Sequence, residues 1–163
     1  MSVGSLTETD RQHLRRCVDL AREALDAGDD PFGSLLVDGA GVVRREERNR
    51  ERSVDATCHP EFALAKWAGA NLSPDERRDS VVYTSGEHCP MCSAAHAWVG
   101  LGRIVYVASS AQLTAWRREQ GFGPGPVASL SIRDVAPAIP VAGPEPSLQE
   151  EIFALHRRAA ARA

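Results

Sequence analysis

Between about Ser5 and Ala27 the apolar residues Leu14, Cys17, Val18, Ala21 and Leu25 recur at helical spacing on one face. The spacing predicts an amphipathic helix packed against a core. Ser5 followed by Glu8 has the form of a capping box, and Gly28 marks a stop. The period then shortens. Ser34 to Val37 reads as a buried strand, Asp38-Gly39 with Gly41 as a hairpin turn, and Val42 to Asn49 as a second strand. His59 to Ala70 is a compact helix, apolar nearly all round and so expected to be buried. Asn71 to Asp79 reads as a polar loop.

The second half alternates in the same way. Val81 to Thr84 predicts a third strand, Cys89 to Val99 a second buried helix, and Arg103 to Val107 a fourth strand. Ser109 to Gln120 is a short helix, followed by an irregular loop, Gly121 to Pro126. A fifth, weaker strand is expected within Leu130–Val135, and proline-rich coil from Ala136 to Pro146. Ser147 with Glu150 is expected to cap a last helix ending in Arg157-Arg158. There is no internal repeat. Strands alternating with helices imply an α/β fold, one domain over residues 1–163, with the sheet covered on both faces.

Composition narrows the classes. Apolar residues make up 43% and charged residues 25% of the 163 residues, a globular profile. No apolar run approaches the roughly 18–20 residues of a membrane span. Met1 to Asp10 is polar and acidic and lacks the features of a signal peptide, so a reducing cytoplasm is expected. The cysteines there read as buried thiols or metal ligands. The formal net charge is −3, which argues against a protein that lives by gripping phosphates. Arginines 44, 45, 48, 50 and 52 are interleaved with Glu46, Glu47 and Glu51. That run reads as a solvated strand face; a phosphate-binding patch is the sharper alternative.

Four residues carry candidate chemistry: His59 and Glu61 in His-Pro-Glu, and Cys89 and Cys92 in Cys-Pro-Met-Cys. Each motif opens a predicted helix. Cys-x-x-Cys at a helix start lets both thiolates face one point, where the helix dipole favours negative charge. A histidine adds a third ligand and leaves one tetrahedral position open, as in catalytic zinc sites. Glu61 can sit beside the metal without ligating it, which suits a general acid/base. A lone Cys-x-x-Cys also suits a redox pair.

His-x-Glu followed by Cys-x-x-Cys is the signature of the cytidine deaminase-like zinc deaminases, which this chain resembles. It is similar to the branch holding guanine deaminase, cytosine deaminase and bacterial tRNA adenosine deaminase. The matching residues are Pro31-Phe32-Gly33, Asp55-x-Thr57-x-His59-x-Glu61, Tyr83-Thr84-Ser85-x-Glu87-x-Cys89-Pro90-Met91-Cys92 and Arg103-Ile104-Val105-Tyr106. The resemblance implies a three-layer α/β/α sandwich with a five-stranded mixed sheet, and a homodimer. It implies Zn²⁺ held by His59, Cys89 and Cys92, and Glu61 passing protons from water to the ring nitrogen and the leaving ammonia.

Three positions depart from the family pattern. His88 stands where proline is usual, and Pro60 stands where a residue with a backbone N–H is usual. Arg48 falls at the place of the substrate-binding asparagine, with Asn49 one position off. Candidate substrate contacts are Asn49 and Pro60, with Phe32 and Trp98 as candidate walls of the base pocket. The expected activity is hydrolytic deamination of a free nucleobase or related aminated heterocycle, guanine-, cytosine- or triazine-like. The alternatives are wobble-adenosine deamination in tRNA and a zinc-binding module without activity.

Overall fold

In the computed structural model of the chain, residues 5–163 are described. The first four residues of the polar N-terminal stretch lie outside them. The order is α1 (Glu8–Asp26), β1 (Gly33–Val37), β2 (Val43–Arg48), α2 (Pro60–Asn71), α3 (Pro74–Arg78), β3 (Val81–Gly86), α4 (Pro90–Trp98), β4 (Arg103–Ala108), α5 (Ser110–Glu119), α6 (Ile132–Val135), β5 (Val141–Ala142) and α7 (Pro146–Ala160). The five strands form one sheet in the order β2-β1-β3-β4-β5. β1 is antiparallel to β2 and β3, while β3, β4 and β5 run parallel. The expected three-layer α/β/α sandwich with a mixed sheet is observed.

The stripe on α1 buries Leu14, Cys17, Val18, Ala21 and Leu25 against Leu35 and Val37 of β1, Tyr83 of β3 and Val105 of β4. Leu148, Ile152 and Leu155 of α7 complete that layer, with Leu113 and Trp116 of α5 at its margin. On the other face Leu64, Ala65 and Ala68 of α2 cover Leu36 and Val82, with Ala95 of α4 beside them. α1 sits so close to the start of β1 that a Cβ on Gly33 would lie 2.4 Å from Leu20 Cβ.

Several local expectations are corrected. The cap of α1 is Thr7 with Asp10, not Ser5 with Glu8. Asp10 is also drawn inward by Tyr83 and Arg103, which sets where the helix starts. The polar loop after α2 contains α3, because Ser73 and Glu76 cap it reciprocally and Pro74 occupies its first turn. Leu130–Val135 holds no strand. Ser131 and Asp134 cap the short α6, and Ile132 is fully buried beside Ile104. The fifth strand is Val141–Ala142, inside the segment expected as coil, paired with Ile104 and Val105. Glu145 caps α7, and Ser147 hydrogen-bonds back to it. α2 is buried on one side only, since Lys66, Gly69 and Ala70 are exposed. β2 is a charged edge strand, exposed from Val43 to Glu46, with Glu46 paired to Arg16 and Glu47 to Arg45 and Arg50. Among the described residues no helix is long and apolar enough to cross a membrane.

Candidate active site

Two helices deliver the cluster, and both begin the same way. His59 is the N-cap of α2 and Cys89 the N-cap of α4, each in extended backbone and each followed by proline at the first helical position. Neither side chain caps its own helix, so both are free to point at a common centre. Cys92 lies one turn into α4, on the same face as Cys89. His59 Nδ1 is 3.5 Å from Cys89 Sγ and 3.6 Å from Cys92 Sγ. One ligand atom from each of the three residues falls within 4.8 Å of the others, the one such group among the described residues. The described cysteines are all free thiols; Cys17 is buried as expected, while Cys58 is half-buried and outside the cluster. The Cys89 thiol is pulled down to about 4, through hydrogen bonds from Cys92 and from His59. The imidazole of His59 is pushed up by Cys89 and then by Glu51.

Glu61, in the first turn of α2, is only 6% exposed. Its Oε2 lies 3.7 Å from Cys92 Sγ, beside the ligand cluster. Its Oε1 is held from the other side. Ser34 of β1 and Thr84 of β3 face each other in the antiparallel register, and both are fully buried. Thr84 Oγ1 donates to Oε1 at 2.8 Å and Ser34 Oγ approaches it at 3.2 Å. Burial raises the Glu61 pKa, while the Thr84 hydrogen bond and the charge on His59 oppose the rise. The result is a carboxylate with enhanced proton affinity, one oxygen anchored and the other aimed at the cluster, as acid/base work requires. Sequence reasoning gave Ser34 and Thr84 no role, although Thr84 stands in the matched motif. The signal for Ser34 was a hydroxyl at a buried position in an otherwise apolar strand.

The remaining candidates divide. Asn49 is 1% exposed, its backbone N–H donates to Phe32 O at 3.0 Å, and its side chain bonds Glu51. Arg48 pairs with the buried Asp29 at 3.1 Å and shares a cavity with His59. Asn49 is linked to His59 only through Glu51. Phe32 lines a cavity of about 160 Å³ with Trp116, Arg117, Phe122 and His156. Pro60 is buried at the first position of α2. Trp98 is not brought to the cluster: it stands at the far end of α4, 88% exposed. Nine helical residues put it about 13 Å along the axis from Cys89. His88 is fully buried edge-to-face against His96, with ring centroids 5.3 Å apart. Burial holds it neutral, well below the usual histidine range.

Residues 7–108 match the cytidine and deoxycytidylate deaminase zinc-binding region. That span covers more than half of the chain and contains every cluster residue. The chain belongs to this family. A Schizosaccharomyces pombe protein named "Probable cytosine deaminase" is 31% identical over 162 residues, which is 96% of each chain. Guanine deaminase of Bacillus subtilis is 34% identical over 96 residues, 58% of this chain and 62% of that one. The solved guanine deaminase of Nitrosomonas europaea shares the fold, with a TM-score of 0.68 at 21% identity, covering 99% of this chain and 96% of that one. This deaminase is thus a hydrolase of C–N bonds with zinc as its cofactor. Its donor set fits that ion: two cysteine sulfurs and one imidazole, drawn together within 4.8 Å.

Proposed function

We propose that the deaminase hydrolyses the exocyclic amino group of a free nucleobase or related aminated heterocycle, releasing ammonia and leaving a ring carbonyl. The observation that carries this reading is the placement of Glu61: buried, anchored at Oε1 by two hydroxyls, with Oε2 against Cys92 of the cluster. His59, Cys89 and Cys92 hold the zinc. The ion supplies Lewis acidity that makes water a nucleophile near neutral pH. Glu61 takes the first proton that water gives up and delivers it to the ring nitrogen, then carries the remaining hydroxyl proton to the departing amine as the ring carbonyl forms. Phe32 and Asn49, joined through the backbone, are the substrate contacts in this reading, Asn49 being tied to His59 through Glu51. Pro60 presents no N–H there, so a ring acceptor at that edge finds no donor.

The similarity to the Schizosaccharomyces pombe protein runs through the whole chain and supports a free base as substrate. The net charge of −3 and the acid-paired arginines of β2 speak against a tRNA substrate. We infer a cytoplasmic homodimer, with the exposed Trp98 at the end of α4 as its contact. Sedimentation of wild type against Trp98→Glu tests that contact, with a monomeric wild type counting against it.

The test of function is an ammonia assay on zinc-loaded protein with cytosine, guanine, aminotriazines and a tRNA anticodon stem. Ammonia from a free base supports the reading. Inosine in the tRNA with no free-base turnover, or no ammonia from any substrate at full zinc occupancy, overturns it.

A further inference from the structure

Glu51 lies in the loop between β2 and α2 and takes no part in the proton transfers above. Its carboxylate is nevertheless tightly held. Oε1 accepts from His59 Nε2 at 2.9 Å and from Asn49 Nδ2 at 2.9 Å. The backbone N–H of Glu51 in turn donates to Asn49 Oδ1 at 2.9 Å. Asn49 thus clamps both the main chain and the side chain of Glu51. Asn49 is itself fixed by burial and by its backbone bond to Phe32. Asp55 is closer to His59 in sequence but is engaged by Thr57 and Cys58.

The two ring nitrogens of His59 are divided by this arrangement. Nδ1 faces the two sulfurs and Nε2 faces Glu51. A carboxylate on Nε2 keeps a proton there, leaves the Nδ1 lone pair for a metal, and fixes the rotation of the ring. We propose that Glu51 is a positioning residue for the metal-binding face of His59, and that Asn49 holds Glu51 in place. This rests on the reading of His59 as a zinc ligand of a deaminase. One loop then joins the substrate side of the site, at Asn49, to its metal side.

The test is zinc affinity, measured on metal-free protein by competition with a chromophoric chelator at fixed pH. Glu51→Ala is expected to weaken zinc binding on the order of 10–100-fold. Glu51→Gln keeps an acceptor for Nε2 without the charge, and is expected to fall between wild type and Glu51→Ala. Asn49→Ala is expected to weaken binding by a smaller factor than Glu51→Ala. The visible spectrum of the cobalt-loaded protein reads the ligand set directly, and its bands are expected to shift in Glu51→Ala. Zinc affinity within about twofold of wild type in Glu51→Ala, or in Glu51→Gln should the alanine variant not fold, overturns the proposal. Affinity is read without any substrate. A wild type that holds zinc but releases no ammonia therefore counts against the deaminase reading alone, and an unchanged affinity beside normal turnover counts against Glu51 alone.

Discussion

Tyr83 and Thr84 are consecutive residues of β3 and point to opposite faces of the sheet, and each hydrogen-bonds a buried carboxylate. Tyr83 donates to Asp10 at 2.8 Å on the α1 side. Thr84 donates to Glu61 at 2.8 Å on the α2 side. The two acids are equally hidden, at 3% and 6% exposure. Their surroundings differ: Asp10 also meets the Thr7 backbone N–H and the guanidinium of Arg103. Burial pushes both acids toward the neutral form, but at Asp10 these partners win and its pKa falls. At Glu61 desolvation wins and the pKa rises. Surface exposure alone therefore does not separate a structural carboxylate from a reactive one. The balance of partners against desolvation does: the Thr7 backbone N–H, Tyr83 and Arg103 together hold Asp10 down, whereas the Thr84 hydroxyl and the charge on His59 do not outweigh desolvation at the deeper Glu61.

The sharpest way to break the contrast is to neutralise each acid. Glu61→Gln is expected to keep zinc, by elemental analysis, and to lose about 10²–10⁴-fold in turnover. Near-native turnover would make Glu61 structural. Asp10→Asn is expected to lose roughly 2–3 kcal/mol in urea unfolding, because Arg103 and Tyr83 lose an ionised partner, with kcat/KM of the folded, zinc-loaded protein unchanged.

A finer cut exchanges the two hydroxyls. Thr84→Val should lower kcat on the order of 10-fold, since Glu61 loses its shorter anchor, and Thr84→Ser should restore most of it. Tyr83→Phe should cost about 1 kcal/mol of stability and leave kcat alone. A kinetic effect of Tyr83→Phe as large as that of Thr84→Val would erase the distinction between the two faces.

The smallest effect is in acid. Because the folded pKa of Asp10 is lowered, its contribution is complete above the ordinary carboxylate range and is lost as pH falls through the folded value. The stability curves of wild type and Asp10→Asn should converge as the pH drops below about 4. Curves that stay parallel would show that Asp10 acts through shape rather than charge.

The cluster itself was legible in the sequence. Cys-x-x-Cys and His-x-Glu each lie within one helical turn, so local spacing alone brings each pair together. The anchors were not legible, because each depends on contact between distant segments. Ser34 meets Thr84 only through strand register, and Glu51 meets His59 only through the fold of a loop. Apolar content misled in Leu130–Val135, where Ile132 is buried by a single helical turn. The true β5 is too short at two residues to show a period. Trp98 looked like a wall of the site because it shares a helix with the cysteines; the length of that helix carries it away.

Both ligand helices open with a ligand followed by proline: His59-Pro60 and Cys89-Pro90. A residue before proline is barred from most helical backbone whether or not the chain is folded. The extended conformation that the two ligands need is therefore already favoured in the unfolded chain, and less freedom remains to be lost when the cluster forms. Such a site selects among ions by fit more than by adapting to them. A cation that insists on six oxygen neighbours, as magnesium does, meets sulfur and nitrogen on a backbone that resists rearrangement. The prolines thus make metal selectivity a property of the chain's stiffness as well as of its donor atoms.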